Sequence, residues 1–164
     1  MVMAPDYKAA ARAAQNLLSE AGIHEPPVDP VHLARSIGLE VQFVDFDDEF
    51  SKVSGFYDPQ AKMIVVNKAE SPGRQTFTIA HELAHALLHH EWAASDEYKV
   101  LWRDSEYNGD EAHEKEANAF AARLLMPRSF LDRYFGQMNE AELSRLFAVS
   151  VPAMRNRLKF EYGI

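Results

Sequence analysis

Apolar and polar positions along the 164-residue chain follow two periods, and the switches between them mark the elements. Tyr7 to Glu20 is Ala-rich, with Leu17 and Leu18, and predicts a helix ending at Gly22. Glu25-Pro-Pro-Val-Asp-Pro30 is a stiff connector; Asp29 then caps a short helix with Pro30 as its first residue and Gly38 just past its end. From Leu39 to Phe46 the period drops to two, with Leu39, Val41 and Phe43 on one side and Glu40 and Gln42 on the other, which predicts a strand. After the acidic loop Asp45 to Glu49, the runs Val53 to Tyr57 and Lys62 to Val66 predict a hairpin turning through Asp58-Pro-Gln-Ala61.

The helical period returns at Ser71-Pro-Gly73 and holds to about His90 in an apolar run. Residues 91–109 are polar and irregular, with Trp92, Tyr98, Trp102 and Tyr107 scattered through them, and are expected to move over a cleft. Asp110 is placed to cap a helix running through Glu116 to Met126 and stopping at Pro127; a short amphipathic helix follows at Ser129 to Phe135. Asn139-Glu-Ala-Glu142 resembles a capping box leading into Leu143, Leu146 and Phe147. Ser150 caps a last helix whose buried side is Val151, Met154 and Leu158, with Arg155, Arg157 and Lys159 on the outer face. This pair has the outline of a helix-turn-helix.

The apolar helix contains His81-Glu82-Leu83-Ala84-His85. Residues four apart stack on one helix face, so two imidazoles can meet one metal ion, and Glu82 beside them can take the proton of a bound water. Both the spacing and the Leu/Ala-rich setting belong to zinc-peptidase chemistry. Such a site needs a third protein ligand. The His that one zinc-peptidase class places ten residues after the first is replaced here by Glu91, so the ligand is expected on a later helix. Glu111, His113, Glu114 and Glu116 are the candidates; His113 and Glu114 lie nearer the centre of the apolar stripe Ala117, Phe120, Ala121, Leu124 and Leu125 than Glu116 does.

Composition narrows the setting. There are no cysteines, which excludes a disulfide framework and a thiolate zinc site. No apolar run is long enough to cross a bilayer and the amino terminus lacks a signal pattern, so a cytoplasmic protein is expected. A net charge of −8 argues against nucleic acid or an anionic membrane as partner, and no DNA-binding residues are assigned.

Arg74 to His89, taken with Glu116-Ala-Asn-Ala-Phe-Ala-Ala-Arg-Leu-Leu-Met-Pro127, resembles the ImmA/IrrE family of bacterial zinc metallopeptidases. The Val-Val-Asn67 strand end, the Pro-Pro-Val-Asp29 segment and the Phe147 to Arg155 stretch fit as well. The resemblance implies one Zn²⁺ per chain on His81, His85 and Glu116, the Glu before Ala-Asn, with Glu82 as general base. It also implies that the partner cut is a repressor of the helix-turn-helix type, derepressing mobile-element or stress genes. His89 is expected to stand behind the ligands; His113, Tyr98 and Tyr107 are candidates for contact with substrate or oxyanion. Asn67 and Arg74 read as turn and cap residues.

The expected architecture is α+β: a small zincin-like metallopeptidase domain over residues 1–136, with a short antiparallel sheet, the HExxH helix and the Glu-bearing helix, and a helical pair over 137–164 packed on it. The strand Lys62 to Val66 is the expected edge for an extended peptide to join. The alternatives are a zinc-containing module that binds a repressor or DNA without cutting, and one half of a toxin–antitoxin pair.

Overall fold

The computed structural model describes residues 4–95, 101–102 and 112–164, so Tyr98, Tyr107, Glu111 and the Asp110 cap lie outside the described residues. The elements run α1 (Tyr7–Glu20), α2 (Pro30–Ser36), β1 (Glu40–Val44), β2 (Val53–Asp58), β3 (Met63–Asn67), α3 (Pro72–Leu88), α4 (His90–Ala93), β4 (Leu101–Trp102), α5 (Ala112–Leu125), α6 (Arg128–Tyr134), α7 (Glu140–Phe147) and α8 (Val151–Tyr162). The α+β class expected from the sequence is the observed one.

Local chemistry accounts for the helix starts. The Asp6 side chain accepts from the Ala9 N–H, Asp29 from Val31 and His32, Ser71 from Arg74, and Ser150 from Ala153. At α7 the capping box is complete, with Asn139 and Glu142 each bonding the other's backbone. Asp58 accepts from the Gln60 and Ala61 N–H groups and so closes the hairpin turn.

The sheet has the order β1-β3-β2-β4, and it is mixed rather than antiparallel throughout. β2 and β3 form the antiparallel hairpin, with Tyr57 opposite Ile64, while β1 pairs with β3 in parallel, with Val41 opposite Ile64. β3 is therefore an interior strand, and the expectation that it offers an edge to substrate is corrected. Its unbroken run Met63-Ile-Val-Val66 is what a strand covered on both faces requires. The last residue of that strand, Asn67, donates through Nδ2 to the Ser51 and Val53 carbonyls and accepts from the Ala69 N–H, a turn role as expected.

The metal-motif helix lies directly on this sheet. At Gly55 of β2 an added Cβ would stand 2.5 Å from the Val65 carbonyl oxygen and 2.7 Å from Thr78 Cγ2 of α3, so only glycine allows the approach. With the sheet below, α1 and α2 beside it and α5 across it, α3 is buried without a break from Thr78 to His85. That explains a run with apolar residues on every face. One core cluster joins Leu17, Ile64, Leu83, Phe120 and Leu124 to Leu143, Phe147, Met154 and Leu158 of α7 and α8.

Arg157 does not face outward on α8. It is 5% exposed, its Nε donates to the Met126 carbonyl just past the end of α5, and its Nη1 pairs with Glu161 at 2.7 Å. Helical spacing explains the correction: Arg157 follows Met154 by three residues and joins the side that Met154 and Leu158 bury.

Candidate metal centre

On α3, His81 and His85 stand one turn apart and present their Nε2 atoms to α5. There they meet both oxygens of one carboxylate: His81 Nε2 lies 3.0 Å from Glu114 Oε2, and His85 Nε2 lies 2.9 Å from Glu114 Oε1. These three residues each offer a donor atom within 4.8 Å of the others. Glu82 lies beside them, 1% exposed, with Oε2 4.0 Å from His81 Nε2.

Glu116, expected at this point, stands elsewhere. It follows Glu114 by two residues, about 200° around the helix, and turns toward α1. Its Oε1 lies 2.7 Å from His89 Nε2, and its Oε2 accepts the Asp6 backbone N–H at 2.6 Å. The structure thus brings Glu114, and not Glu116, to the histidine pair. A signal for this was present in the sequence: Glu114, Ala117, Asn118 and Ala121 share a face at 3.6 spacing, and Ala117 and Ala121 are fully buried.

The two histidines are held from behind by different partners. His81 Nδ1 lies 2.9 Å from Asn118 Oδ1, one turn on from Glu114. His85 Nδ1 lies 2.9 Å from Nδ1 of His89, the residue expected to stand behind the ligands. His113 packs its ring on Trp92 at 4.4 Å and edge-on to His89 at 4.7 Å, so its described contacts are aromatic. Trp92 also closes over His85, with ring centroids 5.0 Å apart. Sequence reasoning missed Asn118 as a partner of His81, although its place four residues after Glu114 could have disclosed it.

The electrostatics follow from burial and these contacts. Burial takes the His85 imidazole down to about 4, so it is neutral at pH 7 with a lone pair to offer. His81 is equally buried, but its hydrogen bond to Glu114 and the charge of Glu82 outweigh burial and raise it. Burial alone would raise Glu114, and the approach of His81 and His85 to its two oxygens overcomes it, holding the carboxyl well below its ordinary range. Both Nδ1 atoms are engaged elsewhere, so two imidazole Nε2 atoms and a carboxylate converge. That nitrogen–nitrogen–oxygen set fits a zinc ion with a position left for water.

Comparison with known proteins places the chain in a family. A family model described as the IrrE N-terminal-like domain, peptidase family M78, matches residues 34–159. The chain belongs to this family. It is 33% identical over 156 residues to the radiation response metalloprotease IrrE of Deinococcus deserti, covering 89% of this chain and 52% of that protein. The IrrE of Deinococcus radiodurans is 33% identical over 131 residues, 77% of this chain and 37% of its own length. An uncharacterized immunity region protein of Bacillus phage phi105 is 32% identical over 108 residues, 65% of this chain and 63% of that one. The chain therefore spans about half or less of either IrrE. A Mycobacterium tuberculosis transcriptional regulator shares the fold, with a TM-score of 0.64 at 24% identity over 92% of this chain and 46% of that chain. Among the described residues no helix is long and apolar enough to cross a membrane.

Proposed function

We propose that this chain is a zinc-dependent endopeptidase domain that hydrolyses a peptide bond in a partner protein. The observation that carries this reading is the convergence of His81 Nε2, His85 Nε2 and the Glu114 carboxylate beside the buried acid Glu82. A structural zinc site has no use for Glu82; a hydrolytic one needs a base at that place. His81, His85 and Glu114 would hold the zinc, which when bound would lower the pKa of water and polarise the scissile carbonyl. The Glu82 carboxylate then takes the proton of the attacking water as its oxygen adds to the carbonyl carbon, and delivers it to the amine nitrogen as the C–N bond breaks. Asn118 and His89 keep the two imidazoles turned so that Nε2, and not Nδ1, faces Glu114.

Relatives named for a radiation response and for an immunity region support a regulatory protein as substrate. We place it among repressors of the helix-turn-helix type, met in the cytoplasm. Because β3 is interior, an extended substrate would have to be held elsewhere than on that strand. The decisive experiment is elemental analysis and repressor cleavage on three variants. Glu114→Ala should lose zinc and activity, Glu116→Ala should keep measurable zinc, and Glu82→Gln should hold one zinc per chain while cutting far more slowly than the native protein. A Glu82→Gln protein that cleaves at the native rate would sink the mechanism. Full zinc in Glu114→Ala would sink the ligand set.

A further inference from the structure

Glu116 has no place among the proposed ligands, yet it is a carboxylate engaged at both oxygens inside the same helix interface. From it a line of short contacts runs to the metal centre: the Asp6 N–H to Glu116 at 2.6 Å, Glu116 to His89 Nε2 at 2.7 Å, His89 Nδ1 to His85 Nδ1 at 2.9 Å. Each link holds one proton, and with both imidazoles neutral a single order satisfies all of them from the outside inward. An ionised carboxylate already accepting a backbone N–H can only accept again, so His89 carries its proton on Nε2. His89 Nδ1 is then a lone pair, and the 2.9 Å contact requires His85 to carry its proton on Nδ1. What remains to His85 is an Nε2 lone pair aimed at Glu114 Oε1, 2.9 Å away, and two acceptors at that distance call for a cation between them.

We infer that Glu116 and His89 are positioning residues that fix the tautomer and ring orientation of His85, and so set how tightly the centre holds zinc. This rests on the ligand set proposed above. The two sides of the centre are then unequal: His81 is set by a neutral amide, Asn118, and His85 by a histidine backed by a carboxylate. The relay also ties the centre to the first residue before α1, because Asp6 both caps that helix with its side chain and gives its own N–H to Glu116.

The test is zinc affinity by chelator competition, read together with ring ¹⁵N NMR of histidine-labelled full-length protein. In the native zinc-loaded chain, His89 should carry its proton on Nε2 and His85 on Nδ1. Glu116→Ala and His89→Ala should each weaken zinc about 10- to 100-fold, with His89 losing its single tautomer in the former. Glu116→Gln keeps one acceptor oxygen and should restore the native tautomers, with affinity within a few-fold of native. A His89 protonated on Nδ1 in the native protein overturns the inference, whether or not the variants fold. So does native zinc affinity in both alanine variants while Glu114→Ala has lost its metal, an outcome that leaves the ligand set standing. Complete zinc loss in Glu116→Ala with full zinc in Glu114→Ala would overturn the relay and the ligand set together.

Discussion

Two helix pairs in this molecule bury charge in opposite ways. The α3/α5 pair turns His81, Glu82, His85 and Glu114 toward one another, and their mutual contacts lie within the interface beside its apolar core. The α7/α8 pair buries Leu143, Phe147, Met154 and Leu158, and its one deeply buried charge, Arg157, is satisfied by a carbonyl and a carboxylate. The second arrangement is complete as it stands. The first sets a neutral imidazole against a carboxylate in a buried place, which is costly unless a cation joins them. An interface whose donor atoms converge on one point is a site; one whose polar groups are closed on themselves is scaffold.

Breaking this contrast at the chemistry should have the largest effect. Glu82→Gln keeps the size of the side chain and removes the base, and should lower the cleavage rate by about 10²- to 10⁴-fold with zinc retained. Steady-state kinetics alongside metal analysis checks it, and a loss of metal in step with rate would mean that Glu82 serves the site structurally. Chelation comes next. If zinc closes the α3/α5 interface, its removal should lower the melting temperature, since zinc at about 100 times its Kd adds about 2.7 kcal/mol of stability. A melting curve indifferent to chelator would mean that the interface is as self-contained as α7/α8.

Two scaffold substitutions sharpen the comparison at smaller cost. Gly55→Ala forces a Cβ onto the Val65 carbonyl and Thr78, lifting α3 from the sheet, and should destabilise the fold by about 1–3 kcal/mol. Because α3 carries both histidines, zinc affinity should fall as well. Arg157→Met leaves the Met126 carbonyl without its donor and Glu161 with Arg128 alone, and should destabilise by about 1–3 kcal/mol with zinc affinity unchanged. Denaturant unfolding and chelator competition on the same samples separate the two. Loss of zinc affinity in the Arg157 variant would show that the pairs are not independent.

The readable parts of the sequence were those that local chemistry decides. Capping at Asp29, Asn139 and Ser150, the helix start at Ser71, the Asp58 turn, and the His81/His85 stack all follow from residues a few positions apart. What failed was decided by neighbours distant in sequence. β3 became interior because β1 returns to it in parallel, and Phe43, which alternates onto the same side as Leu39 and Val41, is 42% exposed on that edge strand. At the centre, four candidates within six residues could be separated only by the helix face they share with Ala117 and Ala121; the run of letters before Ala-Asn pointed to Glu116 instead. Arg157 shows the same limit, since a cation looks solvent-bound until a carbonyl from another helix meets it.

The smallest effect belongs to the remaining cations of α8. Arg155 reaches Glu140 of α7 at 2.7 Å, but both side chains are well exposed, so the pair contributes little. Lys159 is exposed, and the neighbouring Arg157 is turned inward. A recognition helix needs several outward cations or amides to hold phosphates, and each phosphate contact adds about one unit to the salt dependence. With the whole chain at −8, this helix lacks that reserve. Arg155→Gln with Lys159→Gln should therefore change stability by less than about 0.5 kcal/mol and leave cleavage at the native rate. The native chain should show no duplex binding at physiological salt by fluorescence anisotropy. Operator binding that weakens steeply with salt and disappears in the double variant would make α7/α8 a second site, and the contrast between the two pairs would fall with it.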